Sequence, residues 1–171
     1  MRTILSTSNH IDQIIQTFDL LPHPEGGYFK ETYRSSTEVK LPEFEGKRTY
    51  GTAIYYLLKS ENFSAFHRIK QDETWHFYDG SALNLHVITK EGIYQLIKIG
   101  RNVTNGEVFQ FTVEAGDWFG ASVSEVDSFS LCGCTVAPGF DFRDFEMPDP
   151  DELIKVFPQH EKVIRSLVNY D

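Results

Sequence analysis

Basic residues are scarce in this 171-residue chain: 16 Lys and Arg stand against 25 Asp and Glu, a formal charge of −9. They form no run anywhere, which argues against a surface that tracks nucleic-acid phosphates. Long hydrophobic runs are missing too. No stretch of about 20 apolar residues occurs, so no membrane-spanning helix is expected. Residues 1–10 lack the apolar segment of a secretory signal, and a cytoplasmic location is the resulting expectation. Cysteine is limited to Cys132 and Cys134. One residue apart on a strand, their Cα atoms would lie roughly 6.5–7 Å from each other, at or beyond the reach of a disulfide. They are read as reduced thiols in a buried strand. The middle of the chain also lacks helical periodicity, and without helical crossovers a parallel βαβ fold is excluded.

What remains is a rhythm of short strands. Segments 28–34, 49–58, 63–69, 74–78, 83–89, 92–99, 108–113, 118–123 and 129–136 are rich in β-branched and aromatic residues. Turn sequences such as Asp79-Gly80-Ser81, Thr104-Asn105-Gly106 and Ala115-Gly116-Asp117 separate them. Strands at this spacing predict one all-β domain over residues 1–171, a sandwich, barrel or jelly roll. A short helix is expected over residues 10–18, with Ile11, Ile14, Ile15 and Phe18 on one face and Ser8 or Asn9 as its cap. Two more are expected after Asp149-Pro150 and from Pro158, packed outside the sheets. Residues 36–48 read as a surface loop, and the acidic stretch 141–152 as a solvated one.

The chemistry concentrates in residues 67–80. Alternation places His67 with Ala65 and Ile69 on one face, and Glu73 with Trp75 and Phe77 on another. Their apolar companions predict that both faces point inward, which brings His67 and Glu73 into the interior. His76 then points outward unless a bulge re-aims it. A carboxylate beside a histidine fixes its tautomer and raises its pKa, so His67 and Glu73 are candidate catalytic residues, with His76 a secondary one. Arg34, Arg68 and Lys70 are candidates for an anionic ligand group. Tyr28, Trp75, Phe77 and Trp118 are candidates for the wall of an aromatic pocket.

His67, Glu73 and Gly80 together resemble the first conserved motif of the cupin superfamily, and Ala115-Gly116-Asp117-Trp118-Phe119 resembles the second. More specifically, four stretches resemble the cupin type 5 family of unknown function, related to sugar-epimerase-like jelly rolls. These are His23-Pro24-Glu25-Gly26-Gly27-Tyr28, Phe66-His67-Arg68, residues 72–78 from Asp72 to Tyr78, and residues 136–142 from Val136 to Phe142. The resemblance spans residues 10–167. It implies a double-stranded β-helix, commonly dimeric, with a pocket in the barrel mouth. Metal-binding cupins use His-x-His, a Glu and a third His. Here Ile69 stands at the second position and Phe119 at the last, so two of four ligands remain and only His76 or His86 could complete a set. No metal or other cofactor is expected.

Three functional readings stay open. In the first, a small polar metabolite binds in the cavity and His67, oriented by Glu73, moves a proton, as in a metal-independent epimerase or isomerase. In the second, the cavity binds or senses a small molecule without turnover. In the third, a divalent metal at His67 and Glu73 supports an oxygenase or isomerase. A homodimer is expected as well, because residues 55–58, Tyr-Tyr-Leu-Leu, are apolar on both strand faces.

Overall fold

The computed structural model describes residues 7–168. Residues 1–6, part of the stretch in which no signal segment is expected, and 169–171 lie outside the described residues. After helix α1 (Thr7–Thr17) come strands β1 (Leu21–Pro22), β2 (Tyr28–Arg34), β3 (Glu38–Lys40), β4 (Lys47–Thr49), β5 (Thr52–Lys59) and β6 (Phe63–His67). Next are β7 (Asp72–Gly80), β8 (Leu83–Ile88), β9 (Tyr94–Ile99), β10 (Gln110–Val113), β11 (Trp118–Val123) and β12 (Phe129–Ala137). Helices α2 (Pro150–Val156) and α3 (Glu161–Ser166) end the described chain. Asp149 caps α2 by accepting from the Asp151 and Glu152 amides, with Pro150 at the first helical position.

The strands form two facing antiparallel sheets. One runs β1-β2-β5-β12-β7-β10 and the other β6-β11-β8-β9. This is the all-β jelly roll that the strand rhythm predicts. Between the sheets lie the inward-facing residues of each strand: Tyr56, Leu58, Trp75, Leu83, Leu85, Val87, Val113, Phe119, Cys132 and Cys134, all buried. Both cysteines are free thiols. Outside the four-stranded sheet, α2 and α3 pack Leu153, Ile164 and Leu167 onto Phe66, Ile88 and Trp118.

Three expectations need correction, and the basis of a fourth is narrowed. Residues 36–48 are not all loop, because β3 and β4 pair as a small hairpin, Glu38 opposite Thr49 and Val39 opposite Arg48. Helix α1 begins at Thr7, so Ser8 and Asn9 fall inside it. The outer face of β5, read as meeting a partner subunit, is covered in part from within the chain: Ile11, Ile14 and Leu20 of the α1 region pack on Leu57, Phe129 and Leu131. The apolarity of Leu57 on that face therefore has an intramolecular cause. Finally, the acidic stretch is not simply solvated. Asp144 is buried, bonded to Arg48 Nε and Nη2 at 2.7 and 2.8 Å and to Gln71 Nε2 at 2.7 Å. A carboxylate removed from water needs such partners.

Candidate active site

At one end of the barrel the two sheets part around a cavity of about 340 Å³. The start of β5, the end of β12, the start of β7 and the end of β6 surround it, with the loop before β2 and the strap after β12 closing the sides. The remaining interior is filled by large side chains. Trp75 and Phe77 share an inward face with Glu73, but they sit progressively farther down β7, at about 3.4 Å of rise per residue, in the packed half. Trp75 packs edge-on against Tyr56 and Phe119.

His67 is the last residue of β6, opposite Phe119 on β11, whose ring centroid lies 4.1 Å away. Both of its nitrogens are engaged. Nδ1 is 2.8 Å from the Ala65 carbonyl and Nε2 is 2.9 Å from Glu25 Oε2. A carbonyl and a carboxylate only accept, so each nitrogen carries a proton and the ring is an imidazolium. Burial opposes that charge, but the Glu25 carboxylate and its hydrogen bond, aided by Glu73 and the Ala65 carbonyl, outweigh it and raise the His67 pKa. Burial likewise opposes charge on Glu25, but His67 and then His23 hold its carboxyl below the ordinary range.

The partner of His67 is thus Glu25, not Glu73. Glu25-Gly26-Gly27 forms a turn in which the Gly26 amide bonds the His23 carbonyl at 3.0 Å. The turn also delivers a side chain. Gly26 has φ +110°, and a Cβ there would run into the Phe63 carbonyl oxygen, so the loop can press against β6 only with glycine at this position. The Ala65 amide donates to the Glu25 carbonyl at 2.8 Å, and the Tyr56 hydroxyl donates to the Gly26 carbonyl at 2.8 Å. These contacts fix Glu25 under the imidazole. The available signal was an acidic residue between Pro24 and two glycines, and nothing local tied it to a histidine 42 positions later.

Glu73, opposite Val136 on β12, lines the same floor and is 8% exposed. Burial pushes its carboxyl up to about 7, nearby Glu25 adds to the rise, and His67 and the Cys134 thiol only partly offset it. It therefore exchanges a proton near neutrality while Glu25 stays ionised.

The mouth is more exposed. A bulge in β2 between Glu31 and Tyr33 turns Glu31 and Arg34 toward the same side, where strict alternation would oppose them. Arg34 grips Glu31 in a two-pronged pair at 2.6 and 2.9 Å and donates to the Phe140 carbonyl at 3.1 Å. The strap contributes Phe140, Asp141, Phe142 and Phe145, the last ring 5.3 Å from that of His67. The buried Asp144–Arg48 pair anchors it from behind, and Glu146 ties it to Arg68 through two backbone bonds and an ion pair.

Of the residues singled out from sequence, the structure brings His67, Glu73 and Arg34 to the cavity. It does not bring the others. His76 faces away and bonds Thr135 Oγ1 at 2.9 Å. Lys70 is exposed in the β6–β7 turn. Tyr28 packs with the α1 cluster, and Trp75 and Phe77 belong to the packed half. Trp118 lies on the outer face beneath the Arg68 guanidinium, 4.3 Å from its ring. His86, the other potential ligand, bonds Tyr94 and Ser122 outside the barrel.

These positions do not fit the metal centre of metal-binding cupins. Ile69 lines the cavity where the second histidine would stand, and Phe119 packs against His67 where the third would. Both nitrogens of His67 are already spent. Among the described residues no group of three or more His, Cys, Asp or Glu side chains is arranged to hold a metal ion.

Comparisons with known proteins agree with this architecture. The family model described as Cupin superfamily (DUF985) matches residues 12–148. The Saccharomyces cerevisiae protein YML079W, described as uncharacterized, is 32% identical over 157 residues, covering 84% of this chain and 78% of its own. A hypothetical protein from Leishmania major has a solved structure with TM-score 0.87 and 38% identity, covering 93% of this chain and 98% of that one. Protein SO0799 from Shewanella oneidensis gives TM-score 0.85 and 37% identity, covering 94% and 98%. Oxalate decarboxylase from Bacillus subtilis shares the fold alone, with TM-score 0.55 and 14% identity over 88% of this chain and 37% of that one. The chain belongs to the cupin superfamily, in the DUF985 family.

Proposed function

We propose that the cavity binds a small organic molecule and that Glu73, rather than His67, exchanges a proton with it, as in epimerisation or isomerisation next to a carbonyl group. The observation that carries this is the division of labour at the floor. His67 has both N–H groups committed to protein acceptors and cannot act without breaking a buried ion pair. Glu73 has no Lys or Arg side chain bonded to it among the described residues, lines the cavity, and has its pKa pushed up to about 7. An acid–base group works best when its pKa lies near the working pH. In this reading the imidazolium–Glu25 pair is a fixed positioning element that sets the field at Glu73.

One observation favours a second reading, binding without turnover. Proton abstraction beside a carbonyl needs a donor for the developing oxyanion. The two strongest donors at the floor are spent: His67 on Glu25 and Ala65, and Tyr56 on Gly26.

Solvent exchange separates the two. A mixture of small carbonyl metabolites is incubated with the protein in D2O and followed by proton NMR. Turnover by Glu73 is expected to wash deuterium into one component, with Glu73→Gln slowing this at least a hundredfold. Exchange that survives Glu73→Gln removes Glu73 from the chemistry. Binding-induced line broadening without exchange leaves the second reading.

A further inference from the structure

The chemical class of ligand follows from the charge balance of the same cavity, and this step rests on reading that cavity as the binding site. Three of its carboxylates are matched. Glu25 meets His67 at 2.9 Å, Glu31 meets Arg34 at 2.6 and 2.9 Å, and Asp141 meets Arg143 at 2.6 and 2.9 Å. The cations are likewise paired in charge. Arg34 gives a further N–H to the Phe140 carbonyl, and His67 gives its second to Ala65. His23, whose pKa burial lowers, accepts the Glu25 amide at 3.3 Å. An entering phosphate or carboxylate would find no unmatched positive charge, and it would have to approach Glu73.

Glu73 is the carboxyl left over. Among the described residues no Lys or Arg pairs with it. The walls around it are mostly apolar, with Phe29, Ile54, Ile69 and Val136 among them. The strap adds a corner of three rings. Phe140 and Phe142 lie 5.0 Å apart at 81°, Phe142 and Phe145 5.9 Å at 72°, and Phe140 and Phe145 6.3 Å at 74°. Ring faces are negative and attract a cation within about 6 Å. A hydroxyl-rich ligand would lose its water hydrogen bonds against such walls, at a cost of about 1–3 kcal/mol per unpaired group.

We infer that the cavity takes a molecule with an apolar body and a protonated amine or quaternary ammonium group, with Glu73 as counter-ion and the Phe140–Phe142–Phe145 corner around the rest.

Four probes test the assignment by titration calorimetry at pH 8: phenethylammonium, phenethyl alcohol and phenylacetate, which are nearly one size, and glucose. Phenethylammonium is expected to bind at least tenfold more tightly than the alcohol, and phenylacetate and glucose more weakly than either. Glu73→Gln is expected to erase the preference for the amine, while a cooperative thermal melt of the variant reports an intact fold. Phenylacetate or glucose binding as well as the amine would overturn the inference, as would a preference that survives Glu73→Gln. If the alcohol binds and the amine has no advantage, the charge assignment falls and the cavity remains a binding site. If none of the four binds, both fall.

Discussion

Two of the buried ion pairs among the described residues, Arg48–Asp144 at 2.7 Å and His67–Glu25 at 2.9 Å, are built to different ends. Arg48 and Asp144 meet through a parallel two-pronged contact, Gln71 adds a third bond to the carboxylate, and the Glu45 and Lys47 carbonyls take the other guanidinium nitrogen. Every charge there has its match, and the pair pins the strap to the barrel. His67 and Glu25 meet at 2.9 Å, but a third ionisable group, Glu73, shares their cavity with no Lys or Arg bonded to it among the described residues. Burial opposes ionisation of both Asp144 and Glu73, but Asp144 has Arg48 bonded to it, and a buried carboxyl without such a partner is the kind of group that clusters at functional sites. The unmatched charge is what separates the floor of the cavity from the anchor behind it.

Breaking the anchor should have the largest effect. Asp144→Asn leaves a guanidinium that cannot shed its proton, so a loss of about 3–5 kcal/mol is expected in urea unfolding. Replacing both Arg48 and Asp144 by apolar residues of similar size should recover much of it. Glu25→Gln should cost less, about 2–3 kcal/mol, because His67 can become neutral where Arg48 cannot. A loss equal to that of Asp144→Asn would mean that His67 keeps its charge without a partner.

Glu73 should act in the opposite sense. Its folded pKa, about 7, lies above the ordinary 4.5. The folded state therefore holds its proton more tightly than the unfolded one. The associated stability is fully present below about pH 4.5 and is lost as pH rises through about 7. Glu73→Gln should abolish that loss, stabilising the protein at pH 8 by at most about 3 kcal/mol relative to wild type and by little at pH 5. Equal effects at both pH values would contradict the shift. Smallest of all, His76→Ala outside the barrel should change stability by about 0.5–1 kcal/mol and leave cavity binding untouched.

The strands were legible because alternation and turn chemistry are local. The same alternation correctly turned His67 and Glu73 inward. It could not tell the open end of the barrel from the packed end, so Trp75 and Phe77 were grouped with Glu73 although they fill the core. The hairpin of β3 and β4 escaped because its strands are three residues long and mostly charged. Glu25 and Asp144 escaped for another reason. Their partners lie 42 and 96 positions away, and no local pattern marks an acidic residue in a turn or an acidic loop as buried. Arg34 reached the mouth through a bulge that sequence spacing does not announce.

The most direct measurement is a 13C NMR titration of the glutamate side-chain carboxyls, with Glu73→Gln assigning the signal. A midpoint near 7 for Glu73, alongside a Glu25 midpoint below the ordinary range, is expected. A Glu73 midpoint near the ordinary 4.5 would mean that Glu73 is fully ionised at neutral pH with no net cost from burial, and proton exchange by Glu73 near neutrality would lose its basis.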